Sequence, residues 1–242
     1  MYCQHIILDF EMNPVSEQEA DAYQYLRREI IEIGAVRLDE QLRLTDRFQC
    51  YVKPQYNTAI CRNIRALTGS GFSQTNDAER FSDAMSLFID WIGDSRGRIY
   101  SWSLSDLYQL ADECDYKNIP FPACMYRWVD VQAVFPRMLR QRSYARLSLS
   151  NAAKVCGVTV DPKKAHGALY DAEVTAEILT LLLNGSYRGM AERLQSSISA
   201  EVVHSSFSLG SASGGALRQL MERMRADADE GQSSAAETLP SV

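Results

Sequence analysis

The residues of this chain whose types and spacing could do chemistry begin in "IILDFEMNP", residues 6 to 14. An apolar run there meets Asp9 and Glu11, two carboxylates two positions apart. On a strand, residues i and i+2 share a face, so the two charges are set side by side. At 4 Å and an effective dielectric near 20, such a pair repels by about 4 kcal/mol. The bland reading is a solvated pair at an exposed strand terminus. The chemical reading is a cation site, because a divalent ion turns the repulsion into binding. Oxygen ligands alone select hard ions, Mg²⁺ or Mn²⁺ rather than Zn²⁺. Two further stretches carry candidate groups: "SWSLSDLYQL" (101–110) with Asp106, and "HGALYDAEVTAEI" (166–178) with His166 and Asp171. Taken singly, each is ordinary. Asp106 reads as a cap or dipole partner at a helix start, Asp171 as a polar residue in a helix's first turns, and His166 as a loop histidine.

The elements that must position these groups alternate along the chain. "HIILDF" (5–10) reads as a buried strand. In "NPVSEQEADAYQYLRR", Ser16 with Glu19 forms a capping-box pattern before a short helix or ordered loop. "EIIEIGAVRLD" (29–39) and "LTDRFQCYVKP" (44–54) read as a hairpin, the second strand stopped by Pro54. In 77–93 the apolar positions Phe81, Met85, Phe88, Ile89 and Ile92 recur at a helical period closed by Gly93. "RIYSW" (98–102) predicts a strand, 105–115 a helix, and "RWVDVQAVF" (127–135) a strand running into a helix. Residues 148–158 predict a short helix ended by Gly157. A longer helix follows at 168–185, with Val174, Ile178, Leu181 and Leu182 as its inner stripe. A strand meander followed by strand–helix alternation implies an α/β layer structure on a mixed sheet.

With these elements in order, the chain resembles the DEDDh 3′–5′ exonucleases of the ribonuclease H-like fold. The resemblance rests on "LDFEMNP", on the Trp-x-x-x-Asp spacing of "SWSLSD" and on the His-x4-Asp spacing of "HGALYDA", supported by "EIIEIGAV" and "YVKP…LTG" (51–69). Order and spacing match over roughly residues 5 to 184, and within the family the chain looks most like the sporulation-inhibitor and histone-mRNA-end types, which share the "DFE" opening. The resemblance implies a central mixed five-stranded sheet flanked by helices. It also implies two Mg²⁺ or Mn²⁺ ions held by Asp9, Glu11, Asp106 and Asp171. Asp9 would bridge both ions, Glu11 and Asp171 would hold the ion that carries the attacking water, and Asp106 would serve the second ion. His166 would take the proton from that water, work for which imidazoles are suited. The implied partners are 3′ ends of single-stranded nucleic acid, RNA before DNA. Ser103 replaces the Gly common after the Trp, and "LTGSGFS" replaces "LTGI". These departures bear on substrate choice and leave every implied ligand in place. The alternative is a nuclease-fold regulatory or binding module with little turnover.

Other candidates surround the motifs. As strand neighbours of the carboxylates, Phe10 and Met12 could touch a terminal base or sugar, or simply pack in the core. Lys163 and Lys164 could touch phosphates, or sit in a solvated loop. Arg27 and Arg28 are similar candidates, and Trp102 reads as core beneath the site. The 242 residues suit an exonuclease domain over 1–186 and an extension over 187–242. The extension reads as a helical segment, a Ser/Gly linker at 205–215, a short amphipathic helix at 216–230 and a disordered tail. A net charge of −6 argues against a long duplex footprint and for engaging a few nucleotides. No apolar run has the length of a membrane span or signal peptide. The six cysteines are widely spaced without C-x-x-C, which predicts reduced, mostly buried thiols and a cytoplasmic protein.

Overall fold

A computed structural model describes residues 4–57, 78–93, 97–139, 146–186, 189–190 and 192–194. Strand β1 (His5–Pro14) pairs antiparallel with β2 (Arg28–Leu38), and β2 pairs antiparallel with β3 (Leu44–Tyr51). On the other side of β1, the short strands β4 (Arg98–Ser101) and β5 (Trp128–Asp130) add in parallel, giving the order β3-β2-β1-β4-β5. This is the expected mixed five-stranded sheet. The helices are α1 (Ala20–Tyr25), α2 (Phe81–Ile92), α3 (Ser105–Tyr116), α4 (Val131–Met138), α5 (Leu149–Cys156) and α6 (Ala168–Leu183).

The sheet is covered on both faces, so its central strands read as nearly continuous apolar runs. Ile7, Val36 and Tyr100 pack beneath α4, α5 and α6 against Phe135, Ala152 and Ile178. Ile6, Leu8 and Ile33 pack on the other face against α2 and α3, through Phe88 and Leu110. Asp9 and Glu11 continue the Ile7 side of β1 toward α6. Phe10 continues the Leu8 side and joins the opposite core.

Two local features position the future site. First, β1 outruns its parallel neighbour: only His5–Ile7 pair with β4, while the antiparallel pairing to β2 continues to Pro14. A register shift between Glu11 and Met12 leaves Ile31 as an extra residue on β2. Such bulges sharpen the twist and re-aim side chains. Second, Gly34 lies directly opposite Asp9 in the β1–β2 register. A Cβ there would fall 2.0 Å from the Leu169 nitrogen and 2.2 Å from the Ala168 carbonyl carbon. The first turn of α6 therefore lies with its backbone directly on the sheet.

Several expectations need correction. Asp9 and Glu11 are not at a strand end; β1 runs on to Pro14 because β2 still offers Arg28–Ile30 to pair with. The capping box does not form: the Ser16 hydroxyl accepts from Gln18 N–H, and α1 starts at Ala20 with no side-chain cap from Glu19. In α2, Ala84 takes the buried place expected of Ile89, which is exposed. In α6, Leu179 is buried and Leu181 only partly so, because helices as well as the sheet cover this element. Packed structure also continues past residue 186. Met190 and Leu194 are buried in the core beside α5, and Arg193 Nε donates to the Val155 carbonyl at 2.6 Å. Residues 58–69 and the expected linker, amphipathic helix and tail lie outside the described residues. Among the described cysteines, Cys50, Cys114, Cys124 and Cys156 are free thiols, and burial pushes Cys114 up to about 12. No described helix is long and apolar enough to cross a membrane.

Gly34→Ala tests the close approach. The added methyl meets backbone rather than a side chain that can swing away. The expected cost is about 3 kcal/mol, read as a drop of about 6–12 °C in thermal melts.

Candidate active site

The acidic groups reach one place from β1, α3 and α6. Asp9 and Glu11 are half-buried on one face of β1. Asp106 sits in the first turn of α3, which three residues separate from the end of β4, and it is only 4% exposed. Its carboxylate accepts from the Phe10 backbone N–H, Oδ1 at 3.1 Å, which ties α3 to the open edge of β1 between the two β1 carboxylates. The Ser105 hydroxyl supports the other oxygen at 3.4 Å. Asp171 lies in the first turn of α6 and is half-buried. It accepts from the backbone N–H of His166.

His166 precedes α6 in an exposed turn and holds φ 67°, the left-handed region that residues with side chains rarely adopt. One of its ring nitrogens and the carboxylate oxygens of Glu11 and Asp171 all lie within 4.8 Å of one another. Strained backbone of this kind clusters at functional sites.

Asp9, Glu11, Asp106 and Asp171 all line one cleft of about 360 Å³. Phe10 and Met12 also line it, although Phe10 is 5% exposed and belongs to the core, and Met12 packs half-buried against the same cluster. Trp102 contributes to the wall from a core position, its indole N–H donating to the Leu147 carbonyl at 3.1 Å. Lys163 and Lys164 stand exposed on the turn before His166, the Lys164 ammonium 6.0 Å from the Tyr170 ring, and neither is a wall residue. Arg28, Ser103, Ser105 and Leu149 complete the lining together with Pro14. Sequence reasoning singled out Ser103 only as a departure from the family pattern, and it missed Leu149 and Ser105, whose hydroxyl contacts that of Ser103 at 2.5 Å. It also missed Glu32, which the register sets directly opposite Glu11 and which is 2% exposed. The signal for Glu32 was present: a charge in the middle of "EIIEIGAV", where every residue after the leading Glu29 is otherwise apolar or Gly.

Burial is the main cause that shifts these carboxyls toward the protonated form. It raises Asp9 well above the usual range, and Asp106, Glu11, Asp171 and Glu32 add repulsion. Glu11 is pushed up to about 9 by burial and then by Asp171, Glu32 and Asp106. Burial lifts Asp106 to about 7 against its backbone hydrogen bonds, and it lifts Asp171 against the opposing pull of His166. Each raised value means that folding favours the protonated form. That stabilisation is complete below the ordinary values of 3.8 for Asp106 and 4.5 for Glu11, and it is lost as pH rises through about 7 and about 9. The metal-free chain should therefore melt progressively lower from pH 6 to pH 9, and millimolar Mg²⁺ should flatten the fall. Thermal melts with chelator and with Mg²⁺ across that range check this.

The chain matches the exonuclease family (RNase_T) over residues 6–179. It is 25% identical over 188 residues to 3′-5′ exoribonuclease 1 of Rattus norvegicus, covering 73% of this chain and 52% of that protein. It is also 25% identical over 186 residues to DNA polymerase III subunit epsilon of Rickettsia typhi, covering 74% of each. The nuclease domain of 3′hExo, a DEDDh family member solved bound to rAMP, superposes with a TM-score of 0.63 at 23% identity, covering 77% of this chain and 94% of that one. The chain spans about half the length of the exoribonuclease relatives it matches. The family match runs from β1 through most of α6 and takes in all three acidic segments, so the chain belongs to the exonuclease family.

Proposed function

We propose that the chain is a metal-dependent 3′–5′ exonuclease that releases nucleoside monophosphates from single-stranded nucleic acid, RNA before DNA. The observation that carries this reading is the convergence of Asp9, Glu11, Asp106 and Asp171 on one cleft, with the imidazole of His166 within 4.8 Å of Glu11 and Asp171. The donor set fits hard divalent ions: it is rich in carboxylate oxygens and crowded with negative charge that a cation would neutralise. Asp9, Glu11, Asp106 and Asp171 would hold Mg²⁺ or Mn²⁺, two ions by the family resemblance. When bound, such ions stabilise charge on the attacking and leaving oxygens of a phosphoryl displacement.

The chain's own groups do the rest. His166 removes the proton from the attacking water and, being exposed, passes it to solvent. Water adds to phosphorus, the bond to the 3′ oxygen breaks, that oxygen takes a proton from solvent to become a 3′-hydroxyl on the shortened strand, and a 5′-monophosphate leaves. Phe10 and Met12 shape the wall for the terminal base or sugar. Among the described lining residues Arg28 is the cation, and it is placed to meet phosphate. Lys163 and Lys164 are exposed beside His166 and available to phosphates outside the cleft. A cleft near the lower end of the usual ligand-pocket range suits an end of a strand rather than its middle. The named exoribonuclease relative supports RNA, and the polymerase-subunit relative keeps DNA as the comparison substrate.

A 5′-labelled single strand with Mg²⁺ should give a ladder shortening from the 3′ end, lost with chelator and blocked by a 3′-phosphate. An unchanged oligonucleotide that still binds would favour the regulatory-module alternative. His166→Ala should keep the melting profile and lose about 10²–10⁴-fold in kcat. Saturating Mn²⁺ should raise the melting temperature by about 5–10 °C, and Asp9→Asn should lose most of that rise.

A further inference from the structure

We infer that Glu32 is a positioning residue of this site: its buried carboxylate caps the otherwise uncapped start of α6 and so fixes Asp171 and His166 against the β1 carboxylates. The inference rests on the exonuclease reading of the cleft. A helix start leaves backbone N–H groups without intrahelical acceptors, and a side chain at the N-cap usually takes one. Here the N-cap is Gly167, which has no side chain to offer. Glu32 supplies the acceptor from another strand, taking a hydrogen bond from the Ala168 backbone N–H.

The sheet register makes this possible. Glu32 and Gly34 share the β2 face on which α6 lies, opposite Glu11 and Asp9. Gly34 lets the helix down onto the strand, and Glu32 holds its first turn at that point. A third strand braces the arrangement: Gln49 Nε2 donates to Glu32 Oε1 at 2.7 Å and reaches the Tyr51 hydroxyl at 3.3 Å. A negative group at a helix N-terminus is also favoured by the helix dipole. Burying a fifth carboxylate beside Glu11 and Asp171 is unfavourable in isolation, which is why a structural task for it is informative.

The cap needs an oxygen acceptor rather than a charge, and the test uses that difference. Full-length Glu32→Gln keeps an oxygen for the Ala168 N–H, whereas Glu32→Ala removes it. On a 5′-labelled strand with Mg²⁺, Glu32→Ala should lose about 10–100-fold in kcat with KM nearly unchanged, and Glu32→Gln should stay within about threefold of wild type. Hydrogen exchange at the start of α6 should accelerate in Glu32→Ala and not in Glu32→Gln. Exchange reads the cap even if the wild-type chain cuts nothing, so failure of the exonuclease reading is distinguishable. Equal losses in both variants would mean that the charge itself acts, and would overturn the inference. Wild-type exchange and kcat in Glu32→Ala would overturn it too. If Glu32→Ala does not fold, Gln49→Leu at the exposed brace decides: a severalfold kcat loss with faster exchange at α6 supports the cap, and wild-type behaviour refutes it.

Discussion

The seating of α6 on β2 is the constraint from which the rest of the site follows. A helix normally stands off a sheet by the thickness of its side chains. Here the absence of a side chain at Gly34 lets the Ala168–Leu169 backbone rest on the strand itself. That contact is directly opposite Asp9, so the helix arrives within reach of β1's acidic face. Asp171, one turn in, is carried down to the carboxylates, and His166 is left at the rim. The Arg47–Glu173 ion pair at 2.6 Å adds an exposed tie between β3 and α6, of the kind that contributes little energy by itself. The backbone contact sets the distance, and the polar groups set the direction.

That geometry forces acidic groups together in a place short of water. Three of the carboxylates have local partners that ease this: Asp106 holds the Phe10 N–H, Asp171 the His166 N–H, and Glu32 the Gln49 amide. A similar device works further along β2. Glu29, fully buried, accepts from the backbone N–H groups of Gln55, Tyr56 and Asn57, and Glu113 accepts from Ile30 N–H. Buried acids in this fold thus serve repeatedly as acceptors for backbone that a strand or helix leaves unserved. The site differs in density: its acids face one another as well as the backbone.

Much of this was legible in the sequence. Strand and helix order followed from apolar periodicity, because a sheet covered on both faces leaves continuous runs and its helices leave stripes. Asp9, Glu11, Asp106, His166 and Asp171 stood out because their spacing matched a family pattern, and the fold brings their segments to one cleft. What composition hid was tertiary in origin. "MNP" resembles a loop, yet it remains in β1 because β2 continues alongside it. Ser16 and Glu19 have the letters of a capping box, but the chain turns before they can use them. Glu32 was read as part of a buried strand, since only the register reveals that it faces Glu11 and the start of α6.

The difference in length between β1 and β4 gives the cleft its origin. β4 stops at Ser101 and turns through Trp102–Leu104 into α3, while β1 runs on beside vacated ground. The space where a ligand would sit is the space of strand that β4 never completes. Each added strand residue would advance β4 by about 3.3 Å. Two or three more would carry it across the ground beside Asp9 and Glu11 and make an ordinary, finished sheet of it. In this architecture the binding space is therefore an interruption of the scaffold, and its size is written in the point at which one short strand gives way to a helix.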